Sequence, residues 1–238
     1  VITDPATAET VKYVANAFLA TKLSFVNAIA AVCEAVGADV DDVMASLGHD
    51  HRIGPDFLQP GPGWGGSCFP KDTRALLQIS EEAGYPFRFL EGVLEVNVQQ
   101  VDRVVAKVES AAGGSLDAAN VAVWGLTFKA NTDDLRESPS LAVIENLLER
   151  GAIVRAWDPT VEASRPPIPG EVVVCADPYV ACRDADAVVV LTEWPELEGI
   201  DAAKVAELVR RRAVVDARNV LDRDSWQQAG FDHQGIGR

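Results

Sequence analysis

Histidine and cysteine are scarce in this chain, and positive charge is outnumbered by negative. Among 238 residues there are 3 histidines and 4 cysteines. The histidines are His49, His51 and His233, and the cysteines Cys33, Cys68, Cys175 and Cys182. They form no Cys-x-x-Cys pair and no zinc-ligand spacing, so no metal site is expected. The run His49-Asp50-His51 reads as a solvated loop. Lysine and arginine total 21 against 36 aspartates and glutamates, a net charge of -15. That balance argues against nonspecific binding of nucleic acid or an anionic membrane. It leaves room for one small phosphorylated ligand in a local basic pocket. No basic stretch followed by an apolar one marks a secretory signal, and no apolar run is expected to span a membrane. Reduced thiols and a cytoplasmic location are expected.

What is present is enough apolar material for one large or two ordinary domains, 48% of residues. From about Thr7 to Val36 apolar residues recur at steps of three and four: Val11, Val14, Ala15, Phe18, Leu19, Leu23, Val26, Ile29, Ala30 and Val32. Gly37 stops this long helix. Apolar over much of its circumference, it is either central to a domain or part of a subunit interface. Further helices are predicted from about Asp39, over 71–83 and over 87–111. After Gly113-Gly114-Ser115 the pattern changes to strands at 120–125, 153–157, 172–174, 187–191 and 213–216, with helices at 140–150, 178–183 and 202–211. The stretch 161–170, with three prolines, reads as an exposed loop. The fold class is α/β: an all-helical domain over 1–112, then a parallel-sheet Rossmann-like domain over 113–238. Ligands of such sheets sit at strand carboxyl ends, here Gly125–Lys129, Asp158, Thr192-Glu193-Trp194 and Asp216-Ala217-Arg218.

The run Gly65-Gly66-Ser67-Cys68-Phe69-Pro70-Lys71-Asp72 carries the sharpest chemical signal. Two glycines let backbone approach a ligand closely, and Pro70 suits the first turn of a helix. A thiol there feels the positive end of the helix dipole and the Lys71 charge, which favour a nucleophilic thiolate. The other three cysteines lack such flanks, and Cys33 reads as core filler. The overlapping Gly61-Pro62-Gly63-Trp64-Gly65-Gly66 matches the letters of the dinucleotide fingerprint, but no strand precedes it and the helix begins late. Lys12 and Asn16 lie four apart and share one face of the long helix.

These stretches, together with Arg52-Ile53-Gly54, Gly125-Leu126-Thr127-Phe128-Lys129, Asp133–Ser138, Trp157-Asp158-Pro159 and Asp216-Ala217-Arg218, resemble the UDP-glucose/GDP-mannose dehydrogenase family along nearly the whole chain. The resemblance implies the helical dimerisation domain and the sugar-nucleotide-binding domain of that family, without its N-terminal NAD-binding Rossmann domain. It implies oxidation of a sugar C6 alcohol to a carboxylate with two NAD+. UDP-glucose is the favoured substrate, with GDP-mannose or a UDP-N-acetyl sugar as alternatives. By resemblance Cys68 adds to the C6 aldehyde as a thiohemiacetal, and loss of a second hydride gives a thioester that water hydrolyses. Lys12 and Asn16 would stabilise the alkoxide, and Asp72 would move protons with Lys12 and water. Lys12, if desolvated, would itself serve as a base. Substrate contacts fall to Gln59, Gly61, Gly63 and Gly65, to Phe128 and Lys129, and to Arg218. Arg52 would cross a homodimer interface formed by the long helix. Cys68, Phe69, Lys71 and Arg136 would touch NAD+. Two other readings stay open. The chain alone would be a non-catalytic nucleotide-binding and dimerisation module, or a thiol acyl enzyme using His49 or His51 as base.

Overall fold

The computed structural model describes every residue except Ser164. Helix α1 (Pro5–Val36) begins where the Asp4 carboxylate accepts the Thr7 N–H and Pro5 fills the first turn. It ends at Gly37, whose φ of 74° is the left-handed conformation a glycine adopts freely. One side of α1 packs on α3 (Phe69–Glu82) and α4 (Arg88–Ala111). The other leaves Val11, Phe18, Phe25 and Val32 exposed at seven-residue intervals. By length and composition α1 is able to cross a membrane, contrary to the sequence expectation. Its buried polar groups nevertheless fit a protein interior. The Ser24 hydroxyl donates to the Val93 carbonyl, and Asn27 accepts the Gly61 N–H. Helix α2 (Val40–Gly48) is capped by Asp39.

The second half builds six parallel strands in the order β3-β2-β1-β4-β5-β6. They are β1 (Asn120–Trp124), β2 (Ile153–Trp157), β3 (Val173–Val174), β4 (Ala187–Val190), β5 (Ala213–Asp216) and β6 (Asp232–Gly235). Successive strand residues feed opposite cores. Val121, Val123, Val189 and Val215 point into one core, shared with α5 (Pro139–Glu149). Ala122, Trp124, Val188 and Val214 point into the other, under α6 (Pro178–Ala181), α7 (Ala202–Leu208) and α8 (Arg223–Gln228). Both faces are therefore covered, which explains the unbroken apolar runs.

The first core also takes in Val26 and Ala30 of α1 and Val104, Val105 and Val108 of α4, so the helices and the sheet bury apolar surface together. The chain end ties the same two halves. Gly237 N–H donates to Glu34 Oε1 at 2.7 Å and Arg238 pairs with Asp41 at 2.8 Å.

Three elements lie outside the sequence expectation: β6, α8 and a 3₁₀ turn at Pro195–Gly199. Strand β6 reads Asp-His-Gln-Gly and has no apolar alternation; it is held by its ladder with β5 and by buried Phe231 and Ile236 on either side. Helix α7 stops at Leu208 rather than Arg211 because the Arg210 and Arg211 N–H groups donate to the Ala185 carbonyl. Helix α6 stops at Ala181 instead of Arg183. Within 161–170, where Ser164 is outside the described residues, Val161 and Ile168 are buried, so the stretch is not wholly exposed.

On β6, His233 is buried 3.9 Å from the equally buried Asp216. Burial, then the charges of Arg238 and Arg223, pulls the imidazole down from 6.5 to about 4. Between those values the unfolded chain holds the proton and the folded chain does not, so stability falls as pH drops through that window. Asp216 acts in the opposite sense, since burial raises its carboxyl despite the Leu221 and Arg218 N–H bonds. His233→Phe removes the first contribution. Melting curves between pH 7 and about 4 should therefore fall less steeply for the variant. Equal slopes would rule out this titration.

Candidate active site

A cavity of about 650 Å³ opens between the loop joining α2 to α3 and the carboxyl ends of the strands. It faces the centre of the sheet, where β1 has β2 on one side and β4 on the other, the switch point at which parallel sheets take ligands. The structure brings Asn16, Gln59, Cys68, Phe128, Lys129 and Arg218 to its wall, together with Gly61, Gly63 and Gly65.

The glycine loop is held from behind. Gly61 donates to Asn27 Oδ1 at 2.9 Å and accepts from Gln100 Nε2 at 2.8 Å. Trp64 exchanges two backbone bonds with the Asn97 amide and gives its indole N–H to Ser24. The glycines serve protein–protein approach as well as any ligand. A Cβ on Gly65 would stand 1.8 Å from the Glu137 carbonyl oxygen, and one on Gly66 would stand 2.8 Å from the Phe128 ring. No strand leads into this loop, in line with rejecting the dinucleotide fingerprint.

Cys68 caps the start of α3 and is exposed, its sulfur 3.6 Å from the Ser67 hydroxyl. Pro70 sits in the first turn, where a missing N–H costs nothing. One turn on, Asp72 is buried, and its N–H donates to the Cys68 carbonyl. Its Oδ2 accepts from Asn16 Nδ2 at 2.6 Å and lies 3.3 Å from Lys12 Nζ. Oδ1 has no hydrogen-bond partner and lies 3.6 Å from Lys71 Nζ. Burial alone would raise this carboxyl. The Asn16 and Lys12 bonds and the Lys12 and Lys71 charges outweigh it and hold it below the usual range. Lys12 is 57% exposed, so the desolvation that would make it a base is not met in this chain.

At the opposite wall Arg218 is pinned along one edge. Its Nε donates to the Leu191 carbonyl at 2.9 Å and lies 3.1 Å from Glu193; Nη2 reaches the Phe128 carbonyl at 3.4 Å. Nη1 points toward Gly61, where a Cβ would come within 2.9 Å of it. Lys129 Nζ stands 5.5 Å from the Phe128 ring centre.

Of the other predicted residues, Arg52, Lys71 and Arg136 lie outside the cavity wall and Phe69 is on it. Arg52 is exposed and paired with Asp50 on its own loop. Arg136 is exposed and paired with Asp134 at 2.8 Å; that pair foremost, and Cys68 in smaller measure, raise its guanidinium. Lys71 projects outward, and Phe69 lines the cavity while packing on Phe57 and Trp64. No histidine lines the cavity among the described residues, so the acyl-enzyme reading lacks its base. No metal cluster is found among the described residues.

Asn27, Asn97 and Gln100, which hold the loop, escaped sequence reasoning. Their signal was a polar residue interrupting an apolar helix stripe. The sequence marks Glu193 only as part of a strand end.

Fold and cavity define an α/β protein whose exposed thiol and half-buried arginine face one crevice. The family model described as "UDP-glucose/GDP-mannose dehydrogenase family, central domain" matches residues 6–99, and that family's "UDP binding domain" matches 122–223. The chain belongs to the UDP-glucose/GDP-mannose dehydrogenase family. It is 47% identical over 232 residues to the UDP-glucose 6-dehydrogenase TuaD of Bacillus subtilis, covering 97% of this chain and 50% of that protein. Among solved structures it is similar to a UDP-glucose dehydrogenase from Pyrobaculum islandicum, with a TM-score of 0.89, 36% identity, and coverage of 100% of this chain and 52% of that one. It is also similar to a UDP-D-ManNAc dehydrogenase from Pyrococcus horikoshii, with a TM-score of 0.84, 27% identity, and coverage of 99% and 53%. The chain spans about half the length of the curated relatives it matches.

Proposed function

We propose that this chain is the substrate-binding and dimerisation part of an NAD-dependent UDP-glucose 6-dehydrogenase. One observation carries the reading: Cys68 and Arg218 open on the same cavity, with the Lys12–Asn16–Asp72 cluster one helical turn from Cys68. Arg218 and Lys129 provide the cationic end suited to a diphosphate, and Phe128 a flat apolar face. Cys68 at a helix start provides the nucleophile for a sugar aldehyde. Asp72, ionised and hydrogen-bonded to Asn16, is placed to exchange protons with Lys12.

The sheet itself does not fit a dinucleotide. Its first turn has the single glycine Gly125, where a Cβ would lie 2.3 Å from Thr192. The acid at the end of β2, Asp158, is taken up by backbone N–H groups. Cys68 and Phe69 on the cavity wall, with the exposed Lys71 and Arg136, would meet at most the reactive end of NAD, which when bound supplies the hydride acceptor. The main cofactor site therefore belongs to a domain outside this chain, and the chain alone should bind without turning over.

Titration calorimetry with UDP-glucose, UDP-N-acetyl sugars and GDP-mannose tests the reading. UDP-glucose should bind most tightly; GDP-mannose binding without any UDP-sugar binding would overturn the substrate choice. NADH formation by the chain alone would overturn the division of labour.

The exposed stripe of Val11, Phe18, Phe25 and Val32 fits a second copy of α1, and Arg52 would then reach the neighbour's cavity. Phe25→Glu should convert a dimer to a monomer in sedimentation. A native chain that sediments as a monomer contradicts this interface.

A further inference from the structure

We propose that Asp158 is a positioning residue for the nucleotide site: its buried carboxylate fixes the turn after β1 and acts on the ligand through Phe128 and Lys129. The inference rests on the nucleotide reading above. Asp158 stands at the carboxyl end of β2 and is 3% exposed. Its Oδ2 accepts from the Leu126 N–H at 2.8 Å, the Thr127 N–H at 3.2 Å, the Thr127 hydroxyl at 3.3 Å and the Trp194 indole at 3.0 Å. Its Oδ1 accepts the Thr160 N–H at 3.0 Å and the Thr160 hydroxyl at 2.8 Å.

A carboxylate inside a protein is costly unless it is paired or richly hydrogen-bonded. Asp158 makes no lysine or arginine ion pair among the described residues; its donors come from three separate segments instead. In dinucleotide-binding sheets an acid near this position meets the ribose hydroxyls. Here both oxygens are occupied by the protein, and the side chain does not line the cavity. Its effect on a ligand must therefore pass through what it holds.

What it holds is close to the site. Leu126 and Thr127 directly precede Phe128, which lines the cavity and gives its carbonyl to Arg218. The single Thr127 hydroxyl proton is shared between Asp158 Oδ2 and the Lys129 carbonyl at 3.0 Å, and Thr192 donates to the Thr127 carbonyl at 2.7 Å. Trp194 follows Glu193, the acid beside Arg218. One carboxylate thus sets the two strand-end loops that deliver Phe128, Lys129 and Glu193.

The test compares the native chain with Asp158→Asn, Lys129→Ala and the double variant, using UDP calorimetry, the iodoacetamide alkylation rate of Cys68 and thermal melting. The amide keeps the shape of the carboxyl but turns one acceptor into a donor facing donors. UDP should bind about tenfold more weakly to Asp158→Asn, with alkylation within about twofold of native. In the Lys129→Ala background the same change should cost no more than about twofold, because the lost cation is what the turn was placing. Thr127→Val removes only one hydroxyl and should weaken UDP about threefold, which keeps the test open if Asp158→Asn does not fold. Full multiplication of the Asp158 and Lys129 losses overturns the proposal, as does native affinity in both Asp158→Asn and Thr127→Val. If the native chain binds no UDP, the nucleotide reading itself fails, and this inference with it.

Discussion

Cys68→Ser, in this chain fused to an NAD-binding domain, should lose carboxylate formation by on the order of a thousandfold while keeping nucleotide-sugar affinity. The hydroxyl fills the same place at the start of α3 and disturbs neither Asp72 nor Asn16, so binding has no reason to change. A serine hydroxyl without an adjacent base is a far weaker nucleophile than a cysteine. No histidine among the described residues lines the cavity to compensate. The measurements are NADH released per enzyme and calorimetry with UDP-glucose. Native turnover would remove the covalent role from Cys68, and lost affinity with it would recast the residue as structural.

The second large effect is expected at Gly65. A methyl group there would stand 1.8 Å from the Glu137 carbonyl oxygen, and that oxygen is backbone, which cannot swing aside as a side chain can. Gly65→Ala must therefore push the loop away from the segment that follows β1. That separates Gly66 N–H from the Glu137 carbonyl and strains the Arg74–Glu137 pair. A loss of about 3 kcal/mol is expected, at the upper end of overpacking costs. UDP affinity should fall with it, because Gly61, Gly63 and Cys68 lie on the displaced loop. Chemical denaturation and calorimetry measure the two effects. Native stability together with native affinity would show that the close approach of these backbones does not hold the site.

The two predictions mark where the sequence was readable and where it was not. The thiol at a helix start was legible because Pro70 and Asp72 are local signals, decided within one turn of backbone. The end of α1 at Gly37 and five of the six strands were legible for the same reason: a glycine or an apolar run acts within a few residues. The role of Gly65 was not legible, since its neighbour Glu137 is distant in sequence. Asn27 and Gln100 are similar cases, with loop partners 34 and 39 residues away. Strand β6 was missed because its stability lies in a ladder with β5 rather than in its own side chains. The exposure of Lys12 likewise depends on what packs over α1, which periodicity does not reveal.

The central claim is that one cavity holds a nucleotide diphosphate at Arg218 and Lys129 and presents its sugar to Cys68. Alkylation of Cys68 by iodoacetamide, followed by mass spectrometry, tests it most directly. Saturating UDP-glucose should protect the thiol strongly, and saturating UDP, which lacks the sugar, should protect it much less. Equal alkylation with and without bound UDP-glucose would place the thiol outside the sugar site and contradict the account.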